Sequence, residues 1–176
     1  LAMDKLTTHQ KEKLVEVSSS HHVHLRAPAG AGKTFVALHR ILAALSNPSG
    51  RATEVLFVAC NLALCLFVAR WLCKRVKNTL LRGQMLRRMH ILFLPFEQGP
   101  MQLSIERGRI ERTPASGQPL NAATKQRRSS SSWFGKGTDD KTAGSQSRYS
   151  LVVVDEAHHV FSAHAAAIAR WLPASF

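Results

Sequence analysis

Ala27-Pro28-Ala29-Gly30-Ala31-Gly32-Lys33-Thr34 fits the pattern G-x-x-x-x-G-K-[ST] except that Ala27 stands at the first glycine. Gly30 and Gly32 let the backbone turn so that successive N–H groups, with Ala27, Pro28, Ala29 and Ala31 completing the cradle, converge on phosphate oxygens. A helix beginning near Lys33 adds the positive end of its dipole. In such a loop Lys33 reaches the β- and γ-phosphates of a nucleotide and the Thr34 hydroxyl ligates magnesium. Ala27 is a mild departure, because the first position is least involved in close backbone approach. A Gly-Ala turn that merely precedes a lysine is the bland alternative. Against it stands the context: His22-Val-His-Leu-Arg26 alternates like a strand before the loop, and Thr34-Phe-Val-Ala-Leu-His-Arg-Ile41 continues as a helix after it.

Leu151-Val-Val-Val-Asp-Glu-Ala-His158 is an apolar strand ending in two carboxylates. In a doubly wound sheet the carboxyl end of such a strand lies where ligands bind. Asp155 would hold magnesium, and Glu156 would orient and polarise the attacking water, the role phosphoryl transfer asks of a nearby base. His158 and His159 read as surface groups or γ-phosphate sensors rather than zinc ligands.

Between these two motifs, apolar runs alternate with helical patterns. Residues 4–18 read as a short amphipathic helix with Leu6, Leu14 and Val15 inward. Glu54–Cys60 is a continuous apolar run of strand length, followed by a helix over Leu62–Lys77 and a third strand over Met89–Phe96. A helix is predicted over Ser162–Leu172. Strands and helices at this spacing predict an α/β fold, a doubly wound parallel sheet covered on both faces. From about 99 to 149 the chain is rich in Ser, Gly, Thr, Gln and Lys and poor in apolar residues, so a disordered basic insertion is expected there, inside a single domain spanning 1–176.

The formal net charge is +13, of which Arg112–Arg148 supplies +5, so the ordered part is basic as well. Such a balance favours a polyanionic partner. Cys60, Cys65 and Cys73 are odd in number and form no C-x-x-C pair, which reads as core packing in a reducing compartment. No stretch has the roughly 18 apolar residues of a membrane helix, and no signal peptide is evident, so an intracellular location is expected. The chain opens on Leu1 and reads as a fragment or as a trimmed chain.

Leu6-Thr-Thr-His-Gln10, ahead of the phosphate loop, resembles the glutamine motif of superfamily I helicases, the UvrD/Rep-like group. Val55-Leu-Phe-Val-Ala-Cys-Asn-Leu-Ala-Leu64 is similar to that family's motif Ia. The resemblance covers residues 4–78 and 150–172, and it implies the first part of a RecA-like P-loop NTPase domain with ATP and Mg2+ as cofactors. It gives Gln10 the adenine edge, although Gln10 also reads as a solvated helix residue. It places Asn61 near a single strand's backbone, although Asn61 reads equally as a helix N-cap. The strand end departs from the family, with Asp-Glu-Ala-His in place of Asp-Glu-x-Gln-Asp. Asp-Glu-Ala-His also occurs in superfamily II helicases, whose Pro-x-Arg motif Ia is missing here. A second RecA-like domain, needed for full activity, has no counterpart in the chain.

Arg70, Lys74 and Lys77 recur at i, i+4 and i+7 in a region without an acidic residue from Val55 to Phe96. Like charges on one face repel, and phosphate contacts would relieve that repulsion. The sequence therefore implies Mg-ATP binding and hydrolysis, with Glu156 and Lys33 catalytic and Thr34 and Asp155 on the metal, in a helicase-like protein acting on single-stranded DNA or RNA. Its rivals are a regulatory ATPase without nucleic acid and a partial gene product that binds ATP but barely hydrolyses it.

Overall fold

Leu56 and Phe57 are neighbours on one strand yet face different cores, and this sets up a three-layer molecule. The computed structural model describes residues 6–19, 23–46, 54–115 and 149–172. Strand β1 (Glu54–Val58) is buried at every position after Glu54, as a strand covered on both faces must be. Val55 and Phe57 share a buried cluster with Leu38, Ile41 and Leu45 of helix α2 (Lys33–Ser46), Val68 and Leu72 of α3 (Leu62–Arg75), and Met85 of α4 (Thr79–Arg87). Leu56 and Val58 belong to the opposite cluster, with Val160 and Ile168 of α5 (Ala157–Ala169). The expected α/β fold with helices on both faces is therefore present.

Strands β2 (Met89–Leu92) and β5 (Tyr149–Val154) run parallel to β1 on either side, with Val55 opposite both Met89 and Leu151. The sheet then departs from the expected all-parallel arrangement. Strands β3 (Met101–Glu106) and β4 (Arg109–Pro114) pair antiparallel, giving the order β4-β3-β2-β1-β5. The chain between β2 and β3 is too short for a parallel crossover, which needs a dozen residues or more. Arg107 and Gly108 both take positive φ, 49° and 76°, the two-residue geometry that suits a twisted hairpin. The insertion expected from about residue 99 thus loses its first part to ordered sheet, and residues 116–148 lie outside the described residues.

Three further expectations change. Residues 23–28 do not join the sheet (His22 lies outside the described residues). Val23 and Leu25 are the only apolar groups in the pentapeptide, too few for a strand covered on both faces. Leu25 packs instead against Leu6, Leu14 and Val36, the small cluster that joins helix α1 (Thr8–Ser19) to α2. Val15, expected inward, is 73% exposed, because α1 turns only the Leu14 side to its neighbour. The helix expected over 62–77 ends at Arg75, and a second helix, α4, follows. Asn61 and Asn78 cap these two helices, accepting from the N–H groups of Leu64 at 2.8 Å and Leu81 at 3.0 Å. The Arg82 fork closes the C-terminal end of α3, donating to the Val76 carbonyl at 3.0 and 2.9 Å.

Phe57→Ala should destabilise the fold by about 3–5 kcal/mol, since it empties the centre of the larger core. Leu80→Ala, at a side chain 79% exposed, should stay within about 0.5 kcal/mol of the parent protein. Denaturant unfolding of both variants checks the contrast.

Candidate nucleotide site

The parallel ladder brings Val58 opposite Val154 at the carboxyl edge of the sheet. One residue further, the Asp155 N–H donates to the Val58 carbonyl at 2.9 Å, so pairing with β1 continues past the end of β5. The backbone thereby fixes where the Asp155 carboxylate stands. The Thr34 hydroxyl, on the first turn of α2, and Lys33 lie close enough to that carboxylate to favour its charged form. Burial pushes the Asp155 carboxyl above its ordinary range. The Glu156 N–H, Lys33 and Thr34 act the other way, while the Glu156 charge adds to the rise.

The loop itself needs its glycines. Gly30 and Gly32 have φ of 78° and 87°, the left-handed region that glycine enters freely. None of Ala27, Pro28, Ala29 and Ala31 has positive φ, which explains how alanine is tolerated at the first glycine position. The Ala31 N–H turns back to the Pro28 carbonyl at 3.3 Å, and the N–H groups of Phe35 and Val36 start α2 on the Gly32 carbonyl. The Lys33 ammonium curls over the loop and donates to the carbonyls of Ala27 at 2.7 Å and Pro28 at 2.9 Å.

Gln10 is seated on this loop. Its side-chain amide N–H donates to the Ala31 carbonyl at 3.3 Å, and its Oε1 accepts from the Thr7 N–H at 3.1 Å. A Cβ at Gly32 would stand 2.2 Å from the Gln10 Nε2, so the glycine also makes room for the glutamine. Gln10 is thus more than a solvated helix residue.

Glu156 stands beside Asp155 in the left-handed region, φ 48° and ψ 47°, as the N-cap of α5 without a side-chain capping bond. A non-glycine residue held there stores strain of about 1–3 kcal/mol. Its carboxylate lies 3.9 Å from the His159 Nε2, and both side chains are exposed. The rings of His158 and His159 lie 3.9 Å apart.

The basic residues on α3 and α4 divide by use. Arg70 and Lys74 are exposed on α3. Lys77 is exposed too, but it falls in the link after α3, so the helical face expected to include it stops at Lys74. Arg75 lies over the Trp71 ring, Arg82 closes α3, and the Arg88 guanidinium donates to the Leu45 carbonyl. Asn61 uses its side-chain oxygen as a cap. Cys65 is buried in the larger core, and burial pushes its thiol to about 12, as a packing cysteine rather than a ligand or nucleophile. Among the described residues no helix is long and apolar enough to cross a membrane.

A carboxyl with a folded pKa above its unfolded value favours folding only below the unfolded value of about 3.9, and that contribution is lost as pH rises through the folded value. Asp155→Asn should therefore melt at a higher temperature than the parent at pH 7, with the gap closing as pH falls below about 3.9. Melting curves across that range, without nucleotide, check the sign.

The chain matches the DEAD/DEAH box helicase family over residues 7–173. No curated protein and no solved structure matches it. The five-stranded α/β sheet, with the glycine loop and Asp155 at its carboxyl edge, is consistent with a RecA-like domain. The chain belongs to the DEAD/DEAH box helicase family, and with that membership comes an ATP-binding, helicase-type P-loop NTPase domain.

Proposed function

We propose that the chain binds Mg-ATP at the Ala27–Thr34 loop and hydrolyses it, as the nucleotide-binding part of a helicase-like protein that acts on single-stranded nucleic acid. The observation that carries this reading is the glycine loop meeting the carboxyl edge of the sheet, where the Asp155 N–H is fixed on the Val58 carbonyl and Thr34 and Lys33 both favour the Asp155 charge. A hydroxyl and a carboxylate brought to one site are the oxygen donors that a small hard cation selects. Those two residues would hold magnesium, whose charge when bound offsets the negative charge on the phosphate oxygens.

The side chains divide the remaining work. Lys33 now serves two neutral carbonyls, and a phosphate would draw it across the loop by full charge. The cradle of Ala27, Pro28, Ala29, Gly30, Ala31 and Gly32 surrounds the phosphates, and every residue of it but Pro28 has a backbone N–H to offer them. Beyond its bonds to Ala31 and Thr7, the Gln10 amide keeps a second N–H and a second lone pair on Oε1, the donor–acceptor pair that an adenine edge needs. Glu156 is the base that orients a water and takes its proton, and its left-handed backbone sets the direction of its side chain. Arg70, Lys74 and Lys77 would meet phosphates of the nucleic acid, and Asn61 would keep its capping bond while lying near that strand. The glutamine motif and Asn61-x-x-Leu64 favour the superfamily I, UvrD/Rep-like branch among helicase-type NTPases, with a second RecA-like domain needed for full activity.

Lys33→Ala should weaken Mg-ATP binding about tenfold to a hundredfold, the effect of losing a charge-assisted contact. Glu156→Gln should keep that affinity and slow single-turnover hydrolysis by roughly a hundredfold or more. Calorimetry and rapid-quench kinetics separate the two. Equal affinity in Lys33→Ala would move the site elsewhere, and equal rates in Glu156→Gln would remove the base.

A further inference from the structure

Helix α3 buries Cys65, Val68, Ala69 and Leu72 in the sheet and turns a different set of side chains to water. Phe67 on that outer side is 46% exposed, and Phe35 on α2 is 43% exposed. Trp71, one turn after Phe67, is half-buried; Phe35 meets it edge-on at 6.5 Å, and the Arg75 guanidinium lies 4.8 Å from its ring centroid. Arg70 and Lys74 are exposed, three and seven residues beyond Phe67, and so share its face. Trp71 lies inside the basic segment, Phe67 lies just before it, and Phe35 arrives from another helix.

Aromatic surface clustered on one face marks a site that something covers. The chemistry of the cover follows from its surroundings. No acidic residue lies between Val55 and Phe96, so the occupant brings the negative charge itself. It also brings flat π faces, since two of the three rings offer half of their surface and a guanidinium already covers part of the third. An apolar protein segment would cover the rings but leave Arg70 and Lys74 unanswered. A duplex offers charge but keeps its base faces stacked inside. A single-stranded nucleic acid offers both, with bases free to stack and phosphates at regular spacing.

We propose that Phe35, Phe67 and Trp71 form a base-stacking platform on the outer α2–α3 face, with Arg70 and Lys74 receiving the phosphates of the same strand. This rests on the reading above that single-stranded nucleic acid is the partner, and adds that bases as well as phosphates are gripped.

The test is fluorescence anisotropy of the full chain with labelled oligothymidylate, an abasic strand of the same length, and a polyglutamate peptide. The basic residues outside the platform act on both strands alike, so the ratio of the two affinities isolates stacking. Oligothymidylate should bind tighter than the abasic strand by about fivefold or more, the lower end of what one base on one ring contributes. Phe67→Leu, which removes the ring at an exposed site, should bring that ratio close to one without changing the salt slope. Arg70→Gln with Lys74→Gln should leave the ratio but make the logarithmic salt slope shallower by about 1.4, at about 0.7 per phosphate. A ratio near one in the parent, or unchanged in Phe67→Leu, overturns the platform while leaving phosphate binding intact. Equal weakening of both strands by Phe67→Leu overturns it too, because the ring would then only support the helix. Polyglutamate binding as tight as oligothymidylate reassigns the face to a protein and overturns it. Failure of both strands to bind removes the nucleic-acid reading and the platform together.

Discussion

The 2.9 Å hydrogen bond from the Asp155 N–H to the Val58 carbonyl carries the β1–β5 ladder one residue beyond the strands. Everything at the nucleotide site depends on that extension. A carboxylate on a free loop would wander by ångströms. One tied to a strand buried on both faces stays near where α2 delivers Thr34. The register of β1 against β5 therefore sets the distance between Asp155 and Thr34, which are more than a hundred residues apart in sequence. A shift of one residue in that register would turn Leu151–Val154 inside out and carry Asp155 away from Thr34 together.

The same coupling explains the electrostatics of the site. Burial beside β1 disfavours the Asp155 charge, and the neighbouring Glu156 adds to this. Thr34 and Lys33 offset part of it, which makes the apo site an incompletely compensated cluster of like charges. The buried charge of Asp155 therefore opposes folding stability, a common feature of sites built for binding. Glu156 adds backbone strain of the same kind, held by the β5 ladder on one side and α5 on the other.

What could be read from the sequence follows from how local each signal is. The loop was legible because its chemistry sits in eight consecutive residues, and each glycine has the left-handed or crowded geometry that demands one. Strand β1 was legible because burial on both faces leaves an unbroken apolar run, and β5 because Leu151–Val154 pack alternately against the two clusters. The strand expected at His22–Arg26 was misread because alternation alone says nothing about a neighbour, and Val23 and Leu25 are too few to fill a buried position. The hairpin at residues 101–114 was lost for the opposite reason. Composition averaged Leu103 and Ile105, the alternating inner residues of β3, into a polar segment whose later part hid them.

The basic segment shows the limit of counting charge. Along residues 70–88 every cation looks alike in sequence, yet the fold uses them differently. Arg82 and Arg88 donate to carbonyls, closing α3 and tying α4 to the end of α2. Arg75 lies on Trp71 and so belongs to the aromatic group. Guanidinium groups suit these roles because a planar fork can hold carbonyls and rings at once, which an ammonium cannot. Lys74 and Lys77 stay in water as mobile point charges, and Arg70 joins them only because its position on α3 faces outward. The asymmetry has a physical origin. A C-terminal helix end exposes carbonyls, and the nearest arginine is drawn to them before any ligand arrives. Which cations remain for a polyanion is therefore decided by where α3 stops, and α3 stops at Arg75 because Asn78 caps a new helix rather than continuing the old one.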